Sequence, residues 1–130
     1  MKVKGFNHLT VNVKNLRESL HFYTEVLGLQ VVHKGNKDAY LEWGSAWICL
    51  VEQPEYVEPV LNAAGIDHIA FSIEEDHFAE AVEILRTYNI PITRGPVKRG
   101  IGWSVNFLDP DGTRLELHTS NLAERMSVWK

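Results

Sequence analysis

Polar and apolar positions alternate from Phe6 to Val13: Phe6, His8, Thr10 and Asn12 fall on one parity, Asn7, Leu9, Val11 and Val13 on the other. That is the period of a strand. Asn15 then reads as a helix N-cap, and Glu18 three positions on completes a capping-box pattern. Leu16, Leu20, Tyr23 and Leu27 recur at helical spacing, and Gly28 supplies the stop. Three short strands are expected next, over Leu29–His33, Ala39–Trp43 and Ala46–Glu52, with Gly-Asn-Lys-Asp and Gly-Ser turns between them. After a Pro-containing linker the same order returns. A strand is expected over Asp67–Ile73, then a helix capped by Asp76 with a buried stripe of Phe78, Val82 and Leu85. Asn89 ends it before Pro91, and strands follow around Ile92, over Trp103–Leu108 and over Thr113–His118. The last two are joined by Asp109-Pro-Asp-Gly112, a strong turn signal. Ser120 is expected to cap a terminal helix whose Leu122, Met126 and Trp129 pack as one stripe.

A βαβββ unit is therefore written twice, which makes the fold class α+β with paired modules. Module one covers about 1–53, a linker about 54–65, module two about 66–119 and a C-terminal helix about 120–130. At 130 residues the whole is expected to be a single domain, 1–130. The net charge of −4 argues against nucleic acid or an anionic membrane as partner, since both need a basic footprint. No apolar run approaches the ~20 residues that span a bilayer. One cysteine, Cys49, excludes an intrachain disulfide and fits a reducing cytoplasm.

The repeat carries the chemistry. Phe-Asn-His8-Leu-Thr-Val returns sixty positions later as Ile-Asp-His68-Ile-Ala-Phe. Matching registers give each copy one histidine at the same place in the same strand, and a pseudo-twofold would bring them to one centre. Glu116 sits between Leu115 and Leu117 in the last strand, on the opposite face from both. Two histidines and a carboxylate compose a facial metal triad with open coordination positions. Laying Gly-Ser-Ala46-Trp-Ile-Cys-Leu over Asp-Gly-Thr113-Arg-Leu-Glu-Leu places Cys49 opposite Glu116, where a second carboxylate base could have stood. The open positions then suit Lewis-acid work on a bound oxygen. From Arg94 to Gly102, the cationic Arg94, Lys98 and Arg99 lie among glycines, as either a solvated hairpin tip or a mobile loop closing on an anionic substrate.

Phe6-Asn-His-Leu-Thr10, Ser19-Leu-His-Phe-Tyr23, Ala39 to Leu50 and Phe107 to His118 together make the chain resemble the vicinal-oxygen-chelate superfamily (glyoxalase, bleomycin-resistance and dioxygenase proteins). Within it the chain is most similar to the fosfomycin-resistance glutathione or thiol transferases. The resemblance implies a metal-lined cup completed in a homodimer, with His8, His68 and Glu116 holding Mn2+ or a substitute such as Zn2+, Ni2+, Co2+ or Fe2+. It also implies a thiol cosubstrate and a small electrophile. Thr10, Trp47 and Arg125 fall where the family contacts a phosphonate-bearing epoxide, and Tyr40 where a tyrosine activates the thiol. Ser104 matches a serine of the family's K+ loop. Asn106, Pro96 and Gly100 stand where the family carries a tyrosine, a lysine and a second loop serine. Competing readings are a glyoxalase-like isomerase, a ring-cleaving dioxygenase and a non-catalytic drug-binding protein of the same fold.

Overall fold

The computed structural model describes residues 1–129. It divides into two compact units, Met1–Val57 and Glu58 onward. In the first, strand β1 (Leu9–Val13) leads to helix α1 (Leu16–His21), and strands β2 (Gln30–Lys34), β3 (Asp38–Trp43) and β4 (Ala46–Glu52) follow. The second repeats the order as β5 (Ile69–Ser72), α2 (Glu75–Thr87), β6 (Ile92–Arg99), β7 (Gly102–Leu108) and β8 (Arg114–His118). A short helix α3 (Leu122–Ser127) comes last. The sheet orders are β1-β4-β3-β2 and β5-β8-β7-β6, so the two topologies are identical. In each, the first strand pairs parallel to the last, and the other pairs are antiparallel.

In the first unit Val11, Val13, Ala39, Leu41, Ile48 and Leu50 share the buried face of the sheet. Asn15 caps α1 as its position predicts, its Oδ1 accepting from the Glu18 N–H at 3.0 Å. The helix then widens into a π-helical turn over Phe22–Val26. The wider turn buries Phe22, Tyr23 and Val26 and leaves Leu27, expected on the helical stripe, half-buried. In the second unit Phe78, Val82 and Leu85 form the buried stripe of α2, and Val105, Phe107, Leu115 and Leu117 supply the buried face of its sheet.

Five expectations need correction. Strand β1 starts at Leu9 and β5 at Ile69, so Phe6, Asn7, His8, Asp67 and His68 precede the strands. Asp76 lies inside the first turn of α2; Glu74 holds the cap position, with no side-chain hydrogen bond. The stretch expected as a hairpin tip or mobile loop is mostly strand β6, closed by a tight turn with Gly100 at φ +65°. Asn121, not Ser120, caps α3, accepting from the Glu124 N–H at 2.9 Å, and no described residue of α3 is buried. Leu122, Met126 and Trp129 are exposed rather than packed. Lys130, the last position of the expected terminal helix, lies outside the described residues.

Glu52 ties the end of β4 to the start of α1: its Oε2 accepts the otherwise orphaned Leu16 N–H at 2.9 Å, and its Oε1 lies 3.5 Å from Lys37. The backbone hydrogen bond holds its carboxyl below the usual glutamate value; desolvation opposes it, and the lysine charge adds to the lowering. A depressed folded-state value contributes stability above the unfolded value of about 4.3, lost as pH falls through the folded one. Urea melts at descending pH should therefore show a shallower acid limb for Glu52→Gln than for the wild-type protein.

Candidate functional site

Register fixes which side chains share a face in the second unit. Ala70 lies abreast of Glu116, Glu116 of Asn106, and Asn106 of Arg94, across β5, β8, β7 and β6. Their odd-numbered neighbours in β7 and β8 point into the core, so this row faces the other way. Glu116 is nevertheless only 9% exposed. A carboxylate that deep needs partners. Asn106 Nδ2 donates to Glu116 Oε1 at 3.2 Å, and His68 Nε2 meets the same oxygen at 2.9 Å. His118 Nε2 stands 4.0 Å from Oε2.

The residue before His68 completes the arrangement. Asp67 Oδ1 lies 2.8 Å from His68 Nδ1, and Arg114 Nη1 lies 3.5 Å from Asp67 Oδ2. The hydrogen bond from His68, then the arginine charge, hold the Asp67 carboxyl below its usual value. An ionised carboxylate only accepts, so the Nδ1 atom must carry the proton. In the neutral imidazole Nε2 is then a lone pair, facing a carboxylate oxygen. Two acceptors at that separation are stable together only when a proton or a metal ion serves both. An imidazole nitrogen and a carboxylate oxygen, with the imidazole steered by a second carboxylate, are a donor set that fits a divalent cation.

Around this pair is a cavity of about 780 Å³, lined among others by His68, Glu116, Asn106, Arg94, Arg99 and Arg125. Arg125 arrives from α3: its Cδ would lie 3.9 Å from a Cβ placed on Gly100, next to Arg99. Its guanidinium also sits 5.4 Å over the Trp129 ring.

The first unit holds the counterpart face. Asn7 Oδ1 lies 2.6 Å from His8 Nδ1, repeating the Asp67–His68 device with an amide in place of the carboxylate. The His8 ring stacks on Trp47 with centroids 4.1 Å apart and planes at 18°, and Tyr40 meets Trp47 edge-on at 5.9 Å. Thr10, Cys49 and Tyr40 lie abreast, as do Ala70, Glu116 and Asn106 in the second unit. Cys49 therefore occupies the topological place of Glu116. Burial, then the nearby Asp38, raise its thiol above the usual value, so the neutral S–H form is favoured.

Of the expected site residues, the structure brings together His68, Glu116, Asn106, Arg99 and Arg125 in one cavity. Ser104 is buried one register step away, paired with His118. Lys98 pairs with Trp103, whose side of the sheet is the opposite one. His8, Thr10, Tyr40 and Trp47 gather on the first sheet. Among the described residues no three His, Cys, Asp or Glu side chains form a ready metal cluster; His68 and Glu116 make two. The sequence reading did not single out Asn7, Asp67 or Arg114 as site residues. The first two were visible in the repeated phrase itself, which sets Asn or Asp directly before each histidine.

A family model described as the Glyoxalase/Bleomycin resistance protein/Dioxygenase superfamily matches residues 5–117. The glutathione transferase FosA of Serratia marcescens is 36% identical over 130 residues, covering 98% of this chain and 89% of that one. The metallothiol transferase FosB of Staphylococcus epidermidis is 34% identical over 130 residues, covering 98% and 92%. Among solved structures, the fosfomycin resistance protein FosX of Listeria monocytogenes, complexed with Mn(II) and a sulfate ion, superposes with a TM-score of 0.79 at 26% identity, covering 97% and 98%. No helix among the described residues is long and apolar enough to cross a membrane.

Proposed function

Because the chain belongs to the glyoxalase/bleomycin resistance protein/dioxygenase superfamily, we propose that it is a metal-dependent thiol transferase. Its substrate is a small anionic epoxide or related electrophile, and glutathione is the expected thiol. The observation that carries this reading is the His68 Nε2–Glu116 Oε1 pair at 2.9 Å, with Asp67 fixing the far side of the imidazole. His68 and Glu116 would hold the cation, with His8 proposed as the third ligand. Mn2+ is the metal we expect, supported by the FosX relative solved with Mn(II). A homodimer in the cytoplasm is the setting we expect for it.

When bound, the cation acts as a Lewis acid toward the oxygen released by ring opening, worth several kcal/mol of charge stabilisation. The chain's own side chains do the rest. Arg99 and Arg125 hold the anionic group, each guanidinium offering two parallel donors. Asn106 fixes the Glu116 carboxylate through its amide, which keeps that oxygen from rotating away. Tyr40, 40% exposed at the edge of Trp47, orients the incoming sulfur by a hydrogen bond from its hydroxyl. Thr10 lies abreast of Cys49 and Tyr40 and offers a second hydroxyl on that face. Trp47 supplies an aromatic wall beside His8. An isomerase would need a second carboxylate base in that row, and the neutral Cys49 thiol stands there instead.

The test is a turnover panel with chelated and then Mn2+-reconstituted protein. It pairs glutathione and other small thiols with fosfomycin, further epoxides and α-ketoaldehydes, read by mass spectrometry. Metal-dependent addition of the intact thiol to an epoxide is the expected result. Absence of any adduct, with an α-hydroxythioester formed from a ketoaldehyde, would transfer the protein to the isomerases.

A further inference from the structure

We infer that the groove between α2 and the β6–β7 hairpin is a second ligand site, which takes a ring-bearing organic cation. It opens on the side of the sheet away from Glu116. The groove encloses about 400 Å³, with Phe78, Ala79 and Val82 of α2 on one wall and Pro96 and Trp103 on the other. That volume suits a small molecule, whose pockets usually run to about 300–1,000 Å³. Trp103 shares its parity with Val105 and Phe107, which are fully buried in the core. Trp103 itself is 37% exposed, so one large ring of the core-facing row is left open. Phe78 lies beside it, with ring centroids 6.4 Å apart and planes at 35°.

The first unit shows that the fold does not require an apolar groove at this place. The Thr119 N–H donates to the Trp103 carbonyl at 3.0 Å, as the Glu52 N–H does to that of Lys37 at 2.7 Å. Thr119 stands three positions past Glu116 and Glu52 three past Cys49, so Trp103 occupies the place of Lys37. The Lys37 side chain is 74% exposed and reaches Glu52. The cleft between α1 and β2 is correspondingly polar, with Arg17, His21, Lys34 and Asn36 among its walls. Pro96 is also particular to the second unit. Between Arg94 and Val97, β6 advances three residues while β7 advances two, from Asn106 to Ser104. Pro96 falls in that bulge, where its missing N–H costs no ladder bond. Gly95 makes the bend possible: its φ is +86°, and a Cβ there would fall 2.6 Å from the Ser104 carbonyl oxygen. Strand β2 runs on from His33 to Lys34 without a second shift.

Charge selects among ring-bearing ligands. Three charged side chains line the groove, Glu75, Glu83 and Arg86. Arg86 and Glu83 neutralise each other at 2.9 Å. Glu75 has no ion-pair partner among the described residues, and Glu74, Asp76 and Glu80 neighbour it along α2 and its cap. Lys98 stands abreast of Trp103 but does not line the groove. The face of an indole attracts a cation, and a carboxylate at the rim takes an ammonium group. The occupant is therefore an amine carried on an aromatic or alicyclic ring, its ring against Trp103 and Phe78 and its nitrogen toward Glu75.

The experiment titrates the isotope-labelled full chain with naphthylmethylamine, naphthylmethanol and naphthoate, following amide and indole N–H shifts by two-dimensional NMR. The three probes share a ring system and differ in charge. The amine should shift the Phe78–Val82 amides and the Trp103 indole saturably. It should bind about two- to fivefold more tightly than the alcohol, the increment of an exposed ion pair, and the carboxylate should bind most weakly. Trp103→Lys, which copies the first unit, should lose about tenfold or more. Glu75→Gln, a surface change that carries the test if Trp103→Lys does not fold, should bring the amine to the level of the alcohol. Several results overturn the inference: no saturable shift on α2, shifts confined to the residues around Glu116, equal affinity for amine and carboxylate, or unchanged amine binding in either folded variant. Binding in this groove is independent of the transferase reading, since neither His68 nor Glu116 lines it.

Discussion

Glu116→Gln is expected to abolish stoichiometric Mn2+ binding and, with it, metal-dependent turnover. The substitution keeps the volume and leaves a carbonyl oxygen to accept from Asn106, so the sheet has no reason to unfold. What it removes is the negative charge facing His68 Nε2 at 2.9 Å. A neutral amide oxygen is a far weaker partner for a divalent cation, and the adjacent imidazole then lacks a counter-charge on that side. His118→Ala is the control: its Nε2 lies 4.0 Å from the other Glu116 oxygen, outside hydrogen-bond reach, and its loss should leave the metal stoichiometry intact. Stoichiometry is read by elemental analysis after chelation and reconstitution. Full occupancy in Glu116→Gln would reject the ligand assignment.

The order of elements was legible because its signals are local. Alternation in β3, β7 and β8, the apolar run of β4, the stripe of α2 and the Asn15 cap all depend on residues within a few positions of one another. Where a competing contact decided, the sequence was silent. Ser120 and Asn121 are both good caps, but the Ser120 N–H and hydroxyl are occupied by His118 Nδ1, at 3.1 and 3.2 Å, and Asn121 takes the helix. The stripe Leu122, Met126, Trp129 follows helical spacing, yet spacing names a face and not what covers it. Only the start of β6, around Ile92, was legible as strand, because its two register shifts break the period of two on which strand recognition depends.

The candidate site divides along the same line. Aligning the two Gly-containing turns put Cys49 in the place of Glu116, and the registers agree, because both alignments count residues along a repeated strand. Asn7 and Asp67 escaped notice for the opposite reason. Strands drawn from Phe6 and from Asp67 send adjacent side chains to opposite faces, which forbids contact between an Asx residue and the histidine after it. Strands that begin at Leu9 and Ile69 leave both pairs outside the ladder, where neighbouring side chains can meet.

That freedom gives those pairs a measurable role. Asp67→Ala should weaken Mn2+ binding about 10–100-fold, the range in which partners of a ligating imidazole usually act, with one metal still bound at saturation. The carboxylate does two things for His68. It pins the proton on Nδ1, leaving Nε2 as the lone pair beside Glu116, and its charge makes that lone pair a better donor. Asp67→Asn separates them, since it converts the second unit's pair into a copy of Asn7–His8, which is oriented by an amide oxygen alone. Orientation without charge should place Asp67→Asn between the wild-type protein and Asp67→Ala. Arg114→Ala, which removes the cation 3.5 Å from the far carboxylate oxygen, should move affinity less than either. Chelator competition followed by electron paramagnetic resonance of free Mn2+ ranks the four proteins. If Asp67→Ala binds as tightly as the wild-type chain, the hydrogen bond to Nδ1 contributes nothing to the metal, and His68 is held by its packing instead.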